Sequence, residues 1–202
     1  MEIDNELPDV HYNLGNAYYM LEKYDDAMKY YIKSIKLDEN RPEVFYNLGN
    51  AFCIKENFKD AIRCYKKSIK LDPNNFETYF NLGNSYFVIG WYKEALECYS
   101  MSGSLGYDNA DLKFAFARVH IELGTEENIK EAETYLFELL KNDPNNNKYL
   151  FYYAKLKESS NKNEAKNIYH RIMQSYSYNE KELPNVKENY LRILEEFEEK
   201  HI

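Results

Sequence analysis

Apolar and aromatic residues near the start of the chain recur at the spacing of two amphipathic helices. In the first stripe, successive members lie three or four residues apart, which places them on one face of a helix. After a short turn at Glu22 and Lys23 a second stripe follows, and together they predict a helix pair between Pro8 and Arg41. Pro8 and Pro42 suit the first turn of their helices, where a missing amide proton costs nothing. The stripes are His11, Leu14, Tyr18 and Leu21, then Tyr24, Ala27, Tyr31, Ser34 and Ile35.

The same helix pair returns at a spacing of 34 residues. A near-identical segment, Asn-Leu-Gly-Asn followed by Ala or Ser and an aromatic residue, begins at Asn13, Asn47 and Asn81. A fixed period of roughly 20 to 50 residues is typical of stacked repeat units, which bury a continuous core between neighbours. Asp-Pro-Asn-Asn segments after Leu71 and Asn142 predict helix ends, since proline cannot continue a helix.

Small residues mark the places where the two helices of each pair must approach closely. An aromatic residue follows four positions after the second small residue. These positions resemble the tetratricopeptide repeat, a helix–turn–helix unit of 34 residues. The resemblance implies an all-α fold, a right-handed α-solenoid superhelix of antiparallel helix pairs. The residues are Gly15, Ala27 and Tyr31 in the first repeat, Gly49, Ala61 and Tyr65 in the second, and Gly83, Ala95 and Tyr99 in the third.

Two further units depart from this pattern. In the fourth, Ala132 follows Gly124 by eight residues, whereas Ala95 follows Gly90 by five. Three extra residues within positions 125–131 are therefore expected to lengthen the turn. The fifth unit has one residue fewer before its second helix. The expected capping pairs are Asn128 with Glu131 in the fourth unit and Asn161 with Glu164 in the fifth.

A final helix is predicted after the repeats, with an apolar stripe of Val186, Tyr190, Ile193 or Leu194, and Phe197. Terminal units of a solenoid need one polar face, so this segment is predicted to be a capping helix. A partner-binding or dimerising helix is the alternative. The predicted organisation is an N-terminal lead at 1–7, five repeats at 8–41, 42–75, 76–109, 110–146 and 147–177, a linker at 178–183 and the capping helix at 184–202.

The acidity of the chain narrows the class of partner. Its formal net charge is −8, which argues against nucleic acid, because that binding depends on cations that neutralise phosphates. An odd number of cysteines, three, and no Asn-x-Ser/Thr sequon favour a cytoplasmic location, with a nuclear one possible. The N-terminus lacks a signal-peptide pattern, and no segment approaches the ~18 apolar residues of a membrane span. A soluble protein without membrane insertion is expected.

The resemblance also implies that the first helix of each unit lines a concave groove, where equivalent residues form rows. Amide side chains match the donors and acceptors of an extended peptide, and aromatic faces supply apolar contact. An acidic row favours basic residues in the ligand. The alternative is that these are ordinary repeat residues, with the acids serving the helix dipole. The candidate groove residues are Asn13, Asn47 and Asn81; Asn16, Asn50 and Asn84; Tyr12, Tyr46 and Phe80; Glu43 and Glu77; and Arg118, where the second amide row ends.

One known function of the family is excluded by residue type. Its co-chaperones bind the C-terminal carboxylate of heat-shock chaperones with a clamp that needs three cations. The cation sites hold Tyr12, Glu77 and Asn81 in this chain, so a carboxylate would lack the charge-assisted bonds it requires. The partner is therefore predicted to be another protein or peptide, with basic residues favoured by the acidic row, and not that chaperone tail.

The pattern favours a non-catalytic interaction scaffold that binds an extended peptide or a helix of a partner in the groove. The four histidines have no ligand spacing and no glycine-rich phosphate loop occurs, so no enzyme activity, metal or cofactor is expected. Two alternatives stay open. One is a docking or regulatory region of a larger enzyme or multi-subunit assembly, and the other is self-association. The latter would use the last helix or the outer-helix aromatics Tyr30, Tyr31, Tyr65 and Tyr99.

Overall fold

The computed structural model describes residues 7–175, 178, 179, 183 and 185–198, with the side chains of the last helix described up to residue 196. These residues form eleven α-helices and no strand. Prolines begin α1 and α3, and Asp-Pro-Asn-Asn segments follow α4 and α8, as the sequence predicts. The helices are α1 Pro8–Met20, α2 Tyr24–Leu37, α3 Pro42–Ile54, α4 Phe58–Leu71, α5 Phe76–Val88, α6 Tyr92–Ser104, α7 Ala110–Leu123, α8 Glu126–Asn142, α9 Asn147–Ser160, α10 Lys162–Gln174 and α11 Asn185–Glu198.

Consecutive helices pack in pairs, so the fold is an all-α solenoid of helix pairs. The chain divides into two compact units, residues 1–108 and 109–202. In the first unit α1 packs on α2, α3 on α4, and α5 on α6, while α2 and α4 also contact the first helix of the following pair. In the second unit each helix from α7 to α10 packs on the next one along the chain.

Each helix pair in the first unit holds a tyrosine ring against a glycine. A Cβ atom added to Gly15 would lie 2.5 Å from the ring of Tyr31, closer than any real contact. The equivalent distance from Gly49 to the ring of Tyr65 is 2.6 Å. The sequence predicts close approach of two helices at these glycines, and the structure shows that the tyrosine ring fills the space that glycine leaves.

The same tyrosines correct one prediction about self-association. Tyr31, Tyr65 and Tyr99 are buried between the helices of their own pairs. Tyr30 is half-buried and stacks on Tyr18 with ring centroids 5.2 Å apart. The three buried rings are core residues and present no surface to a second copy, because each packs against the glycine of its partner helix.

In each of the first three helix pairs, the turn between the two helices contains a residue in the left-handed conformation. Glu22 and Glu56 have φ values of 58° and 56°, and Gly90 occupies the same place in the third repeat with φ 79°. This conformation lets two amides close the end of the helix: Glu22 N–H donates to the Tyr19 carbonyl and Lys23 N–H to the Tyr18 carbonyl, both at 2.9 Å. Glutamate is strained there, whereas glycine is not.

The expected long turn in the fourth unit is wrong. The extra residues extend the helix instead, so α8 has 17 residues where α2 and α4 have 14. The cap is Thr125, whose hydroxyl accepts the Asn128 N–H at 3.2 Å. Asn128 is therefore inside the helix, and its side-chain oxygen contacts His120 Nδ1 at 2.7 Å. In the fifth unit the cap predicted at Asn161, which accepts the Glu164 N–H, is confirmed.

The final helix packs on α10 through the predicted stripe. Val186 and Ile193 are buried with Tyr169 and Ile172 of α10. Arg192 forms an ion pair with Glu158, and Asn189 donates to the Tyr169 hydroxyl at 3.3 Å. The predicted start at Pro184, the predicted end at Lys200 and the side chain of Phe197 lie outside the described residues. The helix covers the apolar face of the last pair, as a capping helix does.

The first helix differs from its equivalents in burial. Leu48 and Leu82 are buried, but Leu14, at the same repeat position, is 39% exposed and Leu21 is 65% exposed. Leu48 packs on Ala27 and Tyr31 of the preceding repeat, and no described helix precedes α1. The core stripe predicted for Leu14 and Leu21 is therefore wrong for this helix. At the position of Leu14 burial comes from the preceding repeat, whereas the position of Leu21 is exposed in the second repeat as well, at Lys55.

Candidate functional site

Asparagine and tyrosine side chains link the first and second repeats through hydrogen bonds. The Tyr31 hydroxyl donates to Asn16 Oδ1 at 2.9 Å. The Asn47 amide, one repeat further on, donates to the same Asn16 oxygen at 3.0 Å and to the Tyr12 hydroxyl at 3.2 Å. A buried core hydroxyl therefore sets the orientation of one amide, which in turn orients the amide of the following repeat.

The arrangement repeats between the second and third units. Tyr65 donates to Asn50 Oδ1 at 2.7 Å, and the Asn81 amide donates to that oxygen at 3.1 Å and to the Tyr46 hydroxyl at 3.2 Å. In the third repeat, Tyr99 donates to Asn84 Oδ1 at 2.9 Å. We call this set the amide network: Tyr12, Asn16, Tyr31, Asn47, Tyr46, Asn50, Tyr65, Asn81, Asn84 and Tyr99. The face of α1, α3 and α5 that carries its asparagines is called the amide face.

These internal bonds leave complementary groups accessible on the amide face. Asn16 and Asn84 use their oxygens as acceptors, so their Nδ2 groups remain as donors. Asn47 and Asn81 use their nitrogens as donors, so their Oδ1 atoms remain as acceptors. None of these four atoms is both buried and unpartnered. The face therefore presents ordered donors and acceptors, while the predicted groove residue Asn13 is exposed and has no hydrogen bond to a described residue.

Burial controls the acidity of the tyrosines that support the network. Desolvation raises the pKa of Tyr65 and of Tyr31 well above the usual value of 10. Burial also raises the pKa of Tyr46, against the hydrogen bonds from Asn50 and Asn81, which lower it. The Tyr31 and Tyr65 hydroxyls are therefore protonated throughout the neutral range, so their hydrogen bonds to Asn16 and Asn50 do not change with pH there.

The predicted acidic row is partly neutralised. Arg41 forms ion pairs with Glu43 at 2.9 Å and with Asp9 at 2.7 Å, and its guanidinium lies 5.1 Å from the centre of the Tyr12 ring. Glu77 is exposed and has no ion pair among the described residues. Of the two predicted acidic residues of the groove, Glu77 keeps a carboxylate charge that no described cation neutralises. The carboxylate of Glu43 is already paired with Arg41.

The aromatic members of the face have apolar contacts within the first unit. The rings of Tyr12 and Tyr46 lie 6.3 and 6.1 Å from the rings of Tyr31 and Tyr65. Phe80 lies 5.8 Å from Tyr99 and 4.9 Å from Tyr107. All three candidate residues are half-buried, so each ring supports the amide network below it and keeps an accessible edge.

Sequence reasoning missed an apolar row beside the amides. Met20, Ile54 and Val88 occupy the same position of successive repeats, at the ends of α1, α3 and α5, and all three are exposed. The signal was present in the sequence, since this position faces away from the core stripe on a helical period. Between α3 and α5 a pocket of about 410 Å³ opens next to this row. It is lined by Tyr19, Asn50, Cys53, Ile54, Phe58, Tyr65, Asn81, Asn84, Ser85 and Val88.

The candidate Arg118 belongs to the second unit. Its guanidinium lies 5.9 Å from the centres of the Phe114 and Tyr152 rings, and the side chain is half-buried. Lys155 pairs with Glu122 at 3.3 Å and Lys113 with Glu138 at 3.1 Å. These three cations of the second unit are therefore held in local contacts.

None of the three cysteines forms a disulfide, and the thiols of two of them are unreactive near neutral pH. Burial raises the pKa of both Cys64 and Cys98 to about 12, so neither is a thiolate near neutral pH. Cys53 Sγ lies 3.4 Å from the Tyr65 hydroxyl and 3.3 Å from Ser85 Oγ. Within the described part of the chain, no cluster of three or more His, Cys, Asp or Glu side chains could hold a metal ion. No described helix combines the length and apolarity needed to cross a membrane.

Comparison with known families agrees with this architecture. A tetratricopeptide repeat model matches residues 8–41, and a second model, described as a TPR repeat, matches residues 49–90. The chain is a tetratricopeptide repeat protein. Its eleven described helices correspond to about five repeats and a capping helix. Proteins built from this repeat are interaction scaffolds that bind protein partners and are generally non-catalytic. A search among curated protein sequences finds no match.

Solved structures share the fold of this repeat protein. YrrB, a TPR protein with an unusual peptide-binding site, is 19% identical, with a TM-score of 0.72 over 83% of this chain and 86% of that one. MamA from Desulfovibrio magneticus RS-1 is 17% identical, with a TM-score of 0.72 over 86% and 94% of the two chains. The first TPR of Spaghetti (RPAP3), bound to the HSP90 peptide SRMEEVD, is 22% identical, with a TM-score of 0.57 over 62% and 99%. At these identities the likeness shows the fold alone.

Proposed function

We propose that this repeat protein is a non-catalytic scaffold that binds an extended peptide segment of a partner on the amide face of α1, α3 and α5. The observation that carries the proposal is the amide network. Core tyrosines and neighbouring asparagines hold the amides in fixed orientations, so the donors and acceptors on the face are ordered before a ligand arrives. Ordered groups lose little entropy on binding, which favours affinity.

An extended peptide fits this surface better than a helix. The backbone of an extended chain has N–H and C=O groups without internal partners, and these can bond to Asn47 Oδ1 and to Asn84 Nδ2. A helix uses most of its backbone groups internally, so it would bury the amides of the face without bonding them. Buried amides that lack partners cost free energy. This comparison selects the extended form from the two ligand forms that the sequence leaves open.

The negative charge of the amide face favours a basic residue in the ligand. Glu77 has no ion pair among the described residues, while Glu43 shares Arg41 with Asp9. A basic ligand residue would therefore gain most beside Glu77. We retain a cytoplasmic or nuclear location within this proposal, on the evidence of the odd number of cysteines.

The heat-shock carboxylate clamp remains excluded in this proposal. Asn16 and Asn47, the asparagines that such a clamp would use, are bonded to each other and to Tyr31 and Tyr12. Glu77 stands at one of the cation sites and would repel a carboxylate. The HSP90 peptide bound by the RPAP3 repeat is therefore not the ligand class proposed for this chain.

The test uses a displayed library of random linear peptides selected on the intact protein. Selected peptides are then titrated against wild type and against the double variant Asn16→Asp and Asn84→Asp by fluorescence anisotropy. Aspartate keeps the oxygen that accepts from Tyr31 or Tyr99 but replaces the outward donor with an acceptor. Loss of two hydrogen bonds of about 1 kcal/mol each predicts affinity weaker by at least about 10-fold.

Two controls make the result decisive. Circular dichroism must show that the double variant keeps its helical content, and a variant Lys70→Ala, on α4 and away from the amide face, must bind the selected peptides as wild type does. The proposal is rejected when no linear peptide is selected, or when the selected peptides bind the double variant as tightly as wild type.

A further inference from the structure

We propose that the peptide on the amide face carries an apolar side chain that enters the pocket between α3 and α5, with Ile54 and Val88 at its rim. We call this site the apolar pocket. The inference rests on the proposed function and specifies one part of the partner's chemistry. Its occupant is an aliphatic or aromatic residue of an extended segment.

The apolar pocket combines two surfaces that usually belong to different kinds of site. One wall consists of amide groups of Asn50, Asn81 and Asn84, and the other contains Ile54 and Val88, both exposed. Its volume of about 410 Å³ lies within the range of small ligand sites, about 300–1,000 Å³. A purely apolar ligand would leave the amide wall unpaired, and a purely polar one would leave the apolar wall in water. A peptide with an apolar side chain satisfies both walls.

The polar atoms at the floor of the pocket are already partnered. Ser85 Oγ donates to the Asn81 backbone carbonyl at 2.9 Å and contacts Cys53 Sγ at 3.3 Å. The Tyr65 hydroxyl donates to Asn50 Oδ1 at 2.7 Å. These atoms therefore need no hydrogen bond from the occupant. A polar side chain in the pocket would lose its hydrogen bonds to water and would find no partner to replace them. The chemistry of the floor selects an apolar side chain.

The apolar side chains at the rim are exposed to water, which is unfavourable, and a bound ligand would cover them. Val88 is 54% exposed and Ile54 is 45% exposed, although both lie on a face whose neighbouring asparagines are ordered. Burying one aliphatic or aromatic side chain against this wall strengthens binding by about 10- to 100-fold. Continuity with the amide face argues for a peptide occupant, because the same ligand backbone reaches Asn84 and the pocket without a break.

The experiment repeats the selection of random linear peptides on three forms of the intact protein. These are wild type, Val88→Glu, and the control Met101→Glu, whose site on α6 is 44% exposed and outside the apolar pocket. We expect wild type and Met101→Glu to select an apolar residue at one shared position. Val88→Glu should bind those peptides about 10- to 100-fold more weakly and should select a basic or polar residue at that position.

The outcomes separate this inference from the proposed function. The apolar pocket is overturned, and the peptide scaffold is retained, by the following result. The selected peptides bind the double variant Asn16→Asp and Asn84→Asp more weakly, bind Val88→Glu as tightly as wild type, and share no apolar position. Peptides unaffected by either set of changes overturn both. Light scattering adds a third outcome. If wild type is an oligomer, and Val88→Glu converts it to a monomer while Met101→Glu does not, a second copy of the chain covers the pocket. The inference is then wrong.

Discussion

The same substitution, asparagine to aspartate, should have unequal consequences for stability at the two ends of a single hydrogen bond. The bond joins Asn47 Nδ2 to Asn16 Oδ1 at 3.0 Å. Asn16→Asp keeps the accepting oxygen, so the bonds from Tyr31 and Asn47 survive. Asn47→Asp removes the donor and places a carboxylate oxygen against the Asn16 oxygen. Both variants introduce the same negative charge within the same network, so the comparison isolates the direction of the hydrogen bonds.

The expected difference follows from the bonds that each change removes. Asn47 donates two hydrogen bonds, to Asn16 Oδ1 and to the Tyr12 hydroxyl. At about 0.5–1.5 kcal/mol each, their loss costs about 2 kcal/mol in the free energy of unfolding. In Asn16→Asp the retained bonds gain strength from the charge, which offsets the desolvation of a half-buried carboxylate. We therefore expect that variant to lie within about 1 kcal/mol of wild type.

The pH dependence provides a second signature. In Asn47→Asp the introduced carboxyl regains an O–H donor when it is protonated, so folding favours the protonated form and raises its pKa above the unfolded value of about 3.9. A penalty of about 2 kcal/mol corresponds to a shift of roughly 1.5 units, because one unit is worth about 1.36 kcal/mol. A group with a raised folded pKa stabilises the protein below its unfolded pKa, and this stability is lost as the pH rises through the folded pKa. The deficit of Asn47→Asp should therefore grow between about pH 4 and pH 5.5.

The assay is urea unfolding followed by circular dichroism at pH 4 and pH 7 for wild type and both variants. Subtracting the wild-type free energy at each pH removes effects of other titrating groups. Equal destabilisation by the two variants, or a larger loss in Asn16→Asp, would refute the assigned direction of the network. A deficit in Asn47→Asp that is the same at both pH values would refute the pKa argument alone.

Three further predictions concern the packing and the turns. Gly49→Ala should destabilise by about 1–3 kcal/mol through overpacking against Tyr65, more than the ~1 kcal/mol gain in helix propensity; a raised urea midpoint would contradict this. Glu56→Gly should raise the melting temperature by relieving strain at φ 56°, while Gly90→Ala at φ 79° should lower it, and shifts of the same sign would refute the turn argument. Stability should fall above about pH 10, where unfolded tyrosines ionise and buried Tyr65 stays protonated; thermal melts of Tyr65→Phe should fall less steeply there, and a parallel decline would contradict this.

The hydrophobic pattern predicted most of the local structure because it depends on neighbours in the sequence. The starts at Pro8 and Pro42 and the ends at Leu71 and Asn142 follow from backbone chemistry at those residues. The cap at Asn161 was predicted for the same reason. The insertion in the fourth unit was misjudged because turn and helix differ there only by the choice of cap, and Thr125 rather than Asn128 accepts the first free amide.

The candidate site was predicted in its members but not in their partners. The sequence brought out Asn16, Asn47, Asn50 and Asn81 through their period, yet it contained no sign that the core tyrosines donate to them. Those contacts join residues 15 and 31 positions apart, which only helix packing brings together. Arg41 was likewise not expected to pair with Glu43 and Asp9. The apolar row of Met20, Ile54 and Val88 was overlooked because apolar residues are ordinarily assigned to the core.

The amino-acid sequence by itself determined the repeat, the helix boundaries at Pro8, Pro42, Leu71 and Asn142, and the set of residues on the first helix of each unit. A fixed period forces equivalent residues into equivalent places, so these features need no knowledge of three-dimensional contacts. The tertiary structure decided which polar atoms are occupied and which stay accessible. The hydroxyls of Tyr31 and Tyr65 donate to the Oδ1 atoms of Asn16 and Asn50, so these oxygens are occupied, whereas the amide nitrogen of Asn16 stays available. This division is a property of packed helices, because a side chain's free hydrogen-bonding groups are known only after its neighbours are in place.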